Sequence, residues 1–192
     1  MDVYLVRHTT PDVAVGVCYG QADVGLADSF DAEWTLLKPK LEHLKGPLVF
    51  SSPLQRCAQL AQRAVNDFNF SSPLIDARLL ELNFGDWELK PWQDIPQGIA
   101  GEWTDEHVEQ APPNGESYAD LHRRAKEFLY DLATYQNNKQ TLVFTHAGVI
   151  RALVAEALKV PLREASRVEV NYGSVTHIAL EAGVTRLEFV NR

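Results

Sequence analysis

The chain has 192 residues, with 18 Lys+Arg against 26 Asp+Glu, a formal net charge of −8, and 45% hydrophobic residues. That is the profile of a globular chain long enough to bury a core without disulfide or metal staples, and its acidity argues against nucleic acid or an anionic membrane as partner. No apolar run nears the roughly 20 residues of a membrane span; the first is too short for a signal-peptide core, and Cys18 and Cys57 make neither a disulfide framework nor a zinc pattern, so the expectation is a reduced cytoplasmic protein.

In chain order, Val3-Tyr4-Leu5-Val6 opens the pattern as a strand of β-branched and aromatic residues without polar alternation, as in a parallel sheet buried on both faces. Phe30, Trp34, Leu37, Leu41 and Leu44 then recur at helical spacing, in a helix that Pro39 is expected to kink or split. Leu48-Val49-Phe50 is a second strand. Ser52-Pro53-Leu54-Gln55 comes next as a helix start, with Ser52 as N-cap, Pro53 at the first helical position and Leu54, Ala58, Ala61 and Val65 on the buried face. The stretch from Asp86 to Gly115 holds Trp87, Trp92 and Trp103, four prolines and many acids. It reads as a binding loop or lid, or equally as a surface excursion whose tryptophans fill local core. Leu121, Ala125, Phe128, Leu129 and Leu132 mark a third helix. Leu142-Val143-Phe144 is a third strand, followed by a helix from about Val149 to Leu158. Val175–Leu180 and Val184–Val190 form a hairpin around Glu181-Ala182-Gly183. The expected fold is α/β, a three-layer α/β/α sandwich with a mostly parallel central sheet, antiparallel edge strands and a lid-like insertion over residues 86–115 of a single domain.

The residues just past each strand carry the chemistry. The first strand runs into Arg7-His8-Thr9, the second through Ser51-Ser52 into a helix whose first turn holds Arg56, and the third into Thr145-His146-Ala147-Gly148. Ligands of open parallel sheets bind beyond the carboxyl ends of the strands, so two arginines and two histidines converge beside helix N-termini that favour an anion. Arg56 opposes the dipole of its own helix, a placement an adjacent anion would make favourable. Singly, each residue has a bland reading: a chance Arg-His pair, a structural histidine, a solvated surface arginine. Jointly, they describe a phosphate site. Two guanidinium forks match phosphate oxygens, one imidazole can attack phosphorus, and a second can donate to the charge-rich transition state. The leaving oxygen still needs a proton donor, for which Glu81 is the first candidate and Glu88 and Asp86 the others.

At Leu5-Val6-Arg7-His8-Thr9, Ser51-Ser52-Pro53-Leu54-Gln55-Arg56, Glu81-Leu82-Asn83-Phe84-Gly85-Asp86-Trp87-Glu88 and Thr145-His146-Ala147-Gly148-Val149-Ile150-Arg151, the chain resembles the histidine phosphatase superfamily, the phosphoglycerate-mutase-like proteins. The resemblance implies a phosphohistidine on His8, a phosphate clamp of Arg7, Arg56 and His146, and Glu81 as acid/base. It implies no metal and no cofactor, and the sequence has no HExxH, HxH or cysteine cluster. Arg7-His8-Thr9-Thr10-Pro11-Asp12, Cys18-Tyr19-Gly20-Gln21-Ala22-Asp23-Val24, Pro91-Trp92 and Pro112-Pro113-Asn114-Gly115-Glu116-Ser117 are similar to the α-ribazole phosphatases of cobalamin biosynthesis. The implied partner is a small-molecule phosphate ester, with Gln21, Thr9, Asn83 and Ala147 as candidate substrate contacts. Leu89 departs from the pattern, where glycine commonly succeeds the Trp-Glu pair. Phosphoglycerate mutase, a phosphatase of another small ester and a silent phospho-ligand binding module are the competing readings. His43, His107, His122 and His177 read as surface or structural residues.

Overall fold

The computed structural model describes residues 1–95, 108–135, 139–181 and 184–192. Its centre is a six-stranded sheet of β1 (Asp2–Arg7), β2 (Leu48–Ser51), β3 (Leu74–Ile75), β4 (Gln140–Thr145), β5 (Val175–Glu181) and β6 (Val184–Phe189), in the order β3-β2-β4-β1-β5-β6. The first four strands run parallel, and β5 and β6 are antiparallel additions beyond β1. The helices are α1 (Phe30–Leu41), α2 (Gln55–Phe68), α3 (Tyr118–Asp131) and α4 (Ala147–Leu158).

Strand alternation divides the core in two. Val3, Leu5, Phe50 and Val143 pack with Leu121, Ala125 and Phe128 of α3 and Val149, Ile150 and Leu153 of α4. Tyr4, Val6, Val49, Leu142 and Phe144 face the other way, onto Trp34, Leu37 and Leu41 of α1 and Cys57, Leu60 and Ala61 of α2. Buried on both sides, these strands show the continuous apolar runs expected of a central parallel sheet. The layering is the expected α/β/α sandwich.

Three local expectations change. Pro39 lies inside α1 without splitting it and, like Lys40 after it, is exposed, so the amide hydrogen bond that proline removes is lost where water is at hand. The helix after β2 starts at Gln55 behind Leu54, so Ser52 is no N-cap and Pro53 precedes the helix. Ser52 Oγ is instead engaged by His146. The helix after β4 begins two residues earlier than expected, at Ala147. The two hairpin strands pair antiparallel as anticipated; Ala182 and Gly183 lie outside the described residues. Of the tryptophan-bearing stretch, Pro96, Trp103 and His107 likewise lie outside them, as do the acids Glu102, Asp105 and Glu106. Its remaining tryptophans divide the two readings between them. Trp87 is buried with Cys18 and Ile95 in a small core of its own, whereas Trp92 meets Phe84 edge-on at 5.3 Å, at a cavity wall.

Candidate active site

Strand register brings the motifs together. Arg7 pairs with Thr145 across β1 and β4, and Ser51 pairs with Phe144 across β2 and β4. The ladders continue one residue further, through His8 N–H to the Thr145 carbonyl (3.1 Å) and Ser52 N–H to the Phe144 carbonyl (2.9 Å). His8, His146 and Ser52 therefore leave the sheet side by side at its carboxyl edge.

His8 is buried, and its Nδ1 lies 2.7 Å from the Thr9 carbonyl oxygen. A carbonyl only accepts, so Nδ1 carries the proton and Nε2 presents its lone pair. Burial first, then the nearby Arg56 charge, holds the His8 pKa well below its ordinary value of 6.5, which keeps the ring neutral. The His146 ring centroid is 5.1 Å from that of His8, and its Nε2 is 2.8 Å from Ser52 Oγ. Burial, and then His8 and Arg56, hold its pKa down as well.

Arg56 is fully buried; Nη1 donates to the Ala22 carbonyl (2.9 Å) and Nη2 to the Gly20 carbonyl (2.6 Å). The solvated-surface alternative is thereby excluded. Arg7 Nη1 donates to the Val170 carbonyl at 2.5 Å. The Nε groups of both arginines, and Thr9 Oγ1, are buried without a hydrogen-bond partner. Buried donors left unpaired at a strand-end cluster suit an anion that brings its own acceptors.

Glu81 faces the same region from the segment after the 3₁₀ turn Ala77–Leu79. Its Oε1 accepts from Leu82 N–H (2.9 Å) and its Oε2 from Gly148 N–H (3.1 Å) in the first turn of α4. Glycine at that position leaves room for the carboxylate, because a Cβ on residue 148 would lie 2.2 Å from Glu81 Oε1 and push it aside. Arg124 of α3 braces the segment from behind, donating to the carbonyls of Arg78 (2.8 Å), Leu80 (2.6 Å) and Glu81 (3.0 Å) and to Glu116. Of the three candidate acids, Glu81 lines the cavity beside the cluster, and Glu88 and Asp86 do not. Glu88 Oε1 accepts from the amides of Gln21 (2.7 Å) and Phe84 (3.1 Å), and exposed Asp86 accepts from Asn114.

A cavity of about 320 Å³ opens beside this cluster. Arg7, Glu81 and Ala147 line it near the strand ends, with Val17, Leu82, Phe84 and Trp92 as an apolar wall. Two expected substrate contacts have backbone partners in this structure. The Gln21 amide donates to the Glu81 carbonyl (3.0 Å), and Asn83 Oδ1 accepts from Gly85 N–H (2.8 Å), so both brace the loops around the cavity. The thiols are unreactive in kind, for burial pushes Cys18 up to about 12 and Cys57 also upward. His122 bonds Glu156 and His177 bonds Asp2, in the structural roles expected of them, while His43 packs edge-on against Tyr4. No group of three or more His, Cys, Asp or Glu side chains among the described residues is placed to hold a metal, and none of the described helices is long and apolar enough to cross a membrane.

Sequence reasoning misses Ser52 as the partner of His146, Arg124 as the brace of Glu81, and Tyr172, whose ring lies 3.7 Å from Arg7 Cζ. One signal for Tyr172 is available in the chain. A segment leading into an antiparallel strand beside β1 starts where β1 ends.

The site is that of an enzyme handling phosphate esters, and the family comparison agrees. Residues 3–192 match the model of the histidine phosphatase superfamily (branch 1), and the chain belongs to that superfamily. It is a phosphatase, a phosphoric monoester hydrolase. The adenosylcobalamin/alpha-ribazole phosphatase of Salmonella typhimurium is 26% identical over 195 residues, covering 100% of this chain and 96% of that one. Phosphoserine phosphatase 1 of Hydrogenobacter thermophilus is 25% identical over 162 residues, covering 82% of this chain and 76% of that one. The crystal structure of the alpha-ribazole phosphatase from Shigella flexneri superposes with a TM-score of 0.86 at 27% identity, covering 100% of this chain and 96% of that one.

Proposed function

We propose that the chain hydrolyses phosphate monoesters through a phosphohistidine on His8, with α-ribazole 5′-phosphate as its substrate in cobalamin biosynthesis. One observation carries the mechanism: a buried, neutral His8 whose Nδ1 proton is held by the Thr9 carbonyl, leaving Nε2 free beside the two arginines. The phosphoryl group sits between Arg7, Arg56 and His146, whose donors meet its oxygens as charge accumulates. Nε2 of His8 forms a bond to phosphorus as the ester P–O bond breaks, and Glu81 gives its proton to the departing oxygen. Water then attacks the phosphohistidine, Glu81 recovers a proton from it, and phosphate leaves with His8 restored. Every charge in this scheme is answered by a side chain of the protein, so chelators should leave turnover unchanged.

The apolar wall of Val17, Leu82, Phe84 and Trp92 supports a planar, largely uncharged leaving group, and so does the likeness to the Salmonella and Shigella enzymes. The acids Asp94 and Glu109 in the tryptophan-bearing stretch weigh against a polyanionic ester. This reading takes residues 86–115 as the lid of a single-domain enzyme that works in the cytoplasm on a small molecule. The deciding experiment compares kcat/KM for α-ribazole 5′-phosphate, AMP, phosphoserine, 3-phosphoglycerate and fructose bisphosphates on one preparation. A preference of about tenfold or more for any of the others, about 1.4 kcal/mol of transition-state binding, would remove the substrate assignment. The mechanism is tested separately: His8→Ala should abolish turnover together with an acid-labile, base-stable phosphoryl adduct.

A further inference from the structure

Two tyrosines that the mechanism does not use meet above the cluster. Tyr19 and Tyr172 stand 153 positions apart in the chain, yet their hydroxyls are 2.7 Å apart. The Tyr172 ring covers Arg7, with Cζ 3.7 Å from the ring centroid, and lies 5.5 Å from the His8 ring. The Tyr19 ring faces Arg56, with Cζ at 5.3 Å. The chain thus runs guanidinium, phenol, phenol, guanidinium.

Each phenol is tied, through the backbone of the residue after it, to the arginine it faces. Gly173 N–H reaches back to the carbonyls of Arg7 and His8 (3.2 Å each), and Arg7 N–H donates to the Ser174 carbonyl (3.1 Å), so Tyr172 is registered to the end of β1. Arg56 donates to the Gly20 carbonyl (2.6 Å), directly after Tyr19. The loop before it is clipped by Cys18 N–H to the Lys90 carbonyl (2.9 Å) and Leu89 N–H to the Cys18 carbonyl (2.6 Å). Tyr172 keeps 37% of its surface exposed, so filling core does not explain its position. Covering one face of a guanidinium leaves its edge, where the N–H donors are, as the surface available to a ligand.

We propose that Tyr19 and Tyr172 are positioning residues that tie the two phosphate-facing guanidiniums into one rigid clamp, an inference that rests on the phosphate reading of the site. The ring of Tyr172 fixes the plane of Arg7, and the hydroxyl bond fixes the spacing of Arg7 from Arg56. The bond lies between the two loops, so it also transmits any displacement of the Tyr19 loop to Arg7. Both effects act on phosphate affinity and spare the proton donor.

The test measures inhibition by inorganic phosphate, and hydrolysis of p-nitrophenyl phosphate and an alkyl phosphate, for wild type, Tyr172→Leu, Tyr172→Phe, Tyr19→Phe and the double Phe variant. Tyr172→Leu should weaken phosphate inhibition about tenfold and lower kcat/KM on both esters by a similar factor. Their ratio should stay unchanged, because Glu81 is untouched. Tyr172→Phe restores the ring and should keep a smaller loss of about threefold, from the missing hydroxyl bond. Tyr19→Phe should match it, and the double Phe variant should be no worse than either, since all three lose the same bond. Equal Leu and Phe variants at position 172, or additive losses in the double variant, would overturn the proposal. Tyr19→Phe tests the link even if the leucine variant does not fold, and wild-type phosphate inhibition there would overturn it. A wild type that phosphate does not inhibit would instead remove the phosphate reading itself, and the clamp with it.

Discussion

Replacing Gly148 by alanine should damage catalysis while sparing the fold. Gly148 is the second residue of α4, and its N–H donates to Glu81 Oε2 at 3.1 Å. An alanine Cβ would stand 2.2 Å from Glu81 Oε1, so the carboxylate must retreat by roughly 1 Å to reach ordinary contact. Such a displacement of a reacting group can cost about 100-fold in rate, near 2.7 kcal/mol. Stability has opposing contributions. Alanine gains about 1 kcal/mol over glycine in a helix, against about 1.5–3 kcal/mol for a weakened amide–carboxylate bond. The balance is a loss of about 0.5–2 kcal/mol, so the midpoint of thermal unfolding should fall by only about 1–8 °C and leave the protein folded while activity falls. The loss should appear on an alkyl phosphate and be far smaller on p-nitrophenyl phosphate, whose leaving group hardly needs a proton. Glu81→Gln should produce the same split, and adding Gly148→Ala to it should cost little more. A further loss of about 100-fold in the Glu81→Gln background would show that the damage does not run through this carboxylate.

The buried histidines and the turn at Leu89 give two further outcomes. His8 and His146 have folded pKa values well below 6.5, so below that pH the unfolded chain binds protons that the folded one refuses. Their contribution is complete above about pH 6.5 and is lost as pH falls toward the lowered values, at up to about 1.4 kcal/mol per pH unit for each ring. Urea unfolding at several pH values should show that slope, reduced by about half in His146→Gln; a flat profile would mean that the rings charge within the fold. Leu89 adopts φ +64° with its side chain largely exposed, a backbone state that disfavours a Cβ. Leu89→Gly should gain about 0.5–1 kcal/mol, read as a higher urea midpoint, and a loss would show that the leucine side chain has an anchoring role.

The strand ends can be read from the chain because burial on both faces leaves uninterrupted apolar runs, and the polar residue after each run then stands out. The same logic is blind to β3, whose two residues Leu74 and Ile75 are exposed at the sheet edge and show no such run. Ser52 misleads because Ser-Pro-x-Gln satisfies a local capping pattern, whereas the fold gives that hydroxyl to an imidazole 94 positions away. The backbone partners of Gln21 and Asn83 are unequally legible. The Gln21 amide donates to a backbone carbonyl 60 positions away, and Asn83 accepts from Gly85 N–H two residues on, so one pairing joins distant loops and the other is a local turn. The tyrosine pair depends on β5 lying antiparallel beside β1: the hairpin pattern makes β5 legible as an antiparallel strand, but not which strand it joins.

Arg56 also bears on how the empty enzyme behaves. A fully buried guanidinium is answered by two carbonyl oxygens, and no carboxylate among the described residues pairs with it. Folding therefore carries an uncancelled positive charge into the interior, an expense that a bound anion removes. Stability and occupancy become linked quantities. A phosphate analogue at about 100 times its dissociation constant would add about 2.7 kcal/mol to the free energy of unfolding. The choice of buffer anion then becomes a variable of the fold itself, and a melting curve recorded in phosphate describes a different thermodynamic species from one recorded in a zwitterionic buffer.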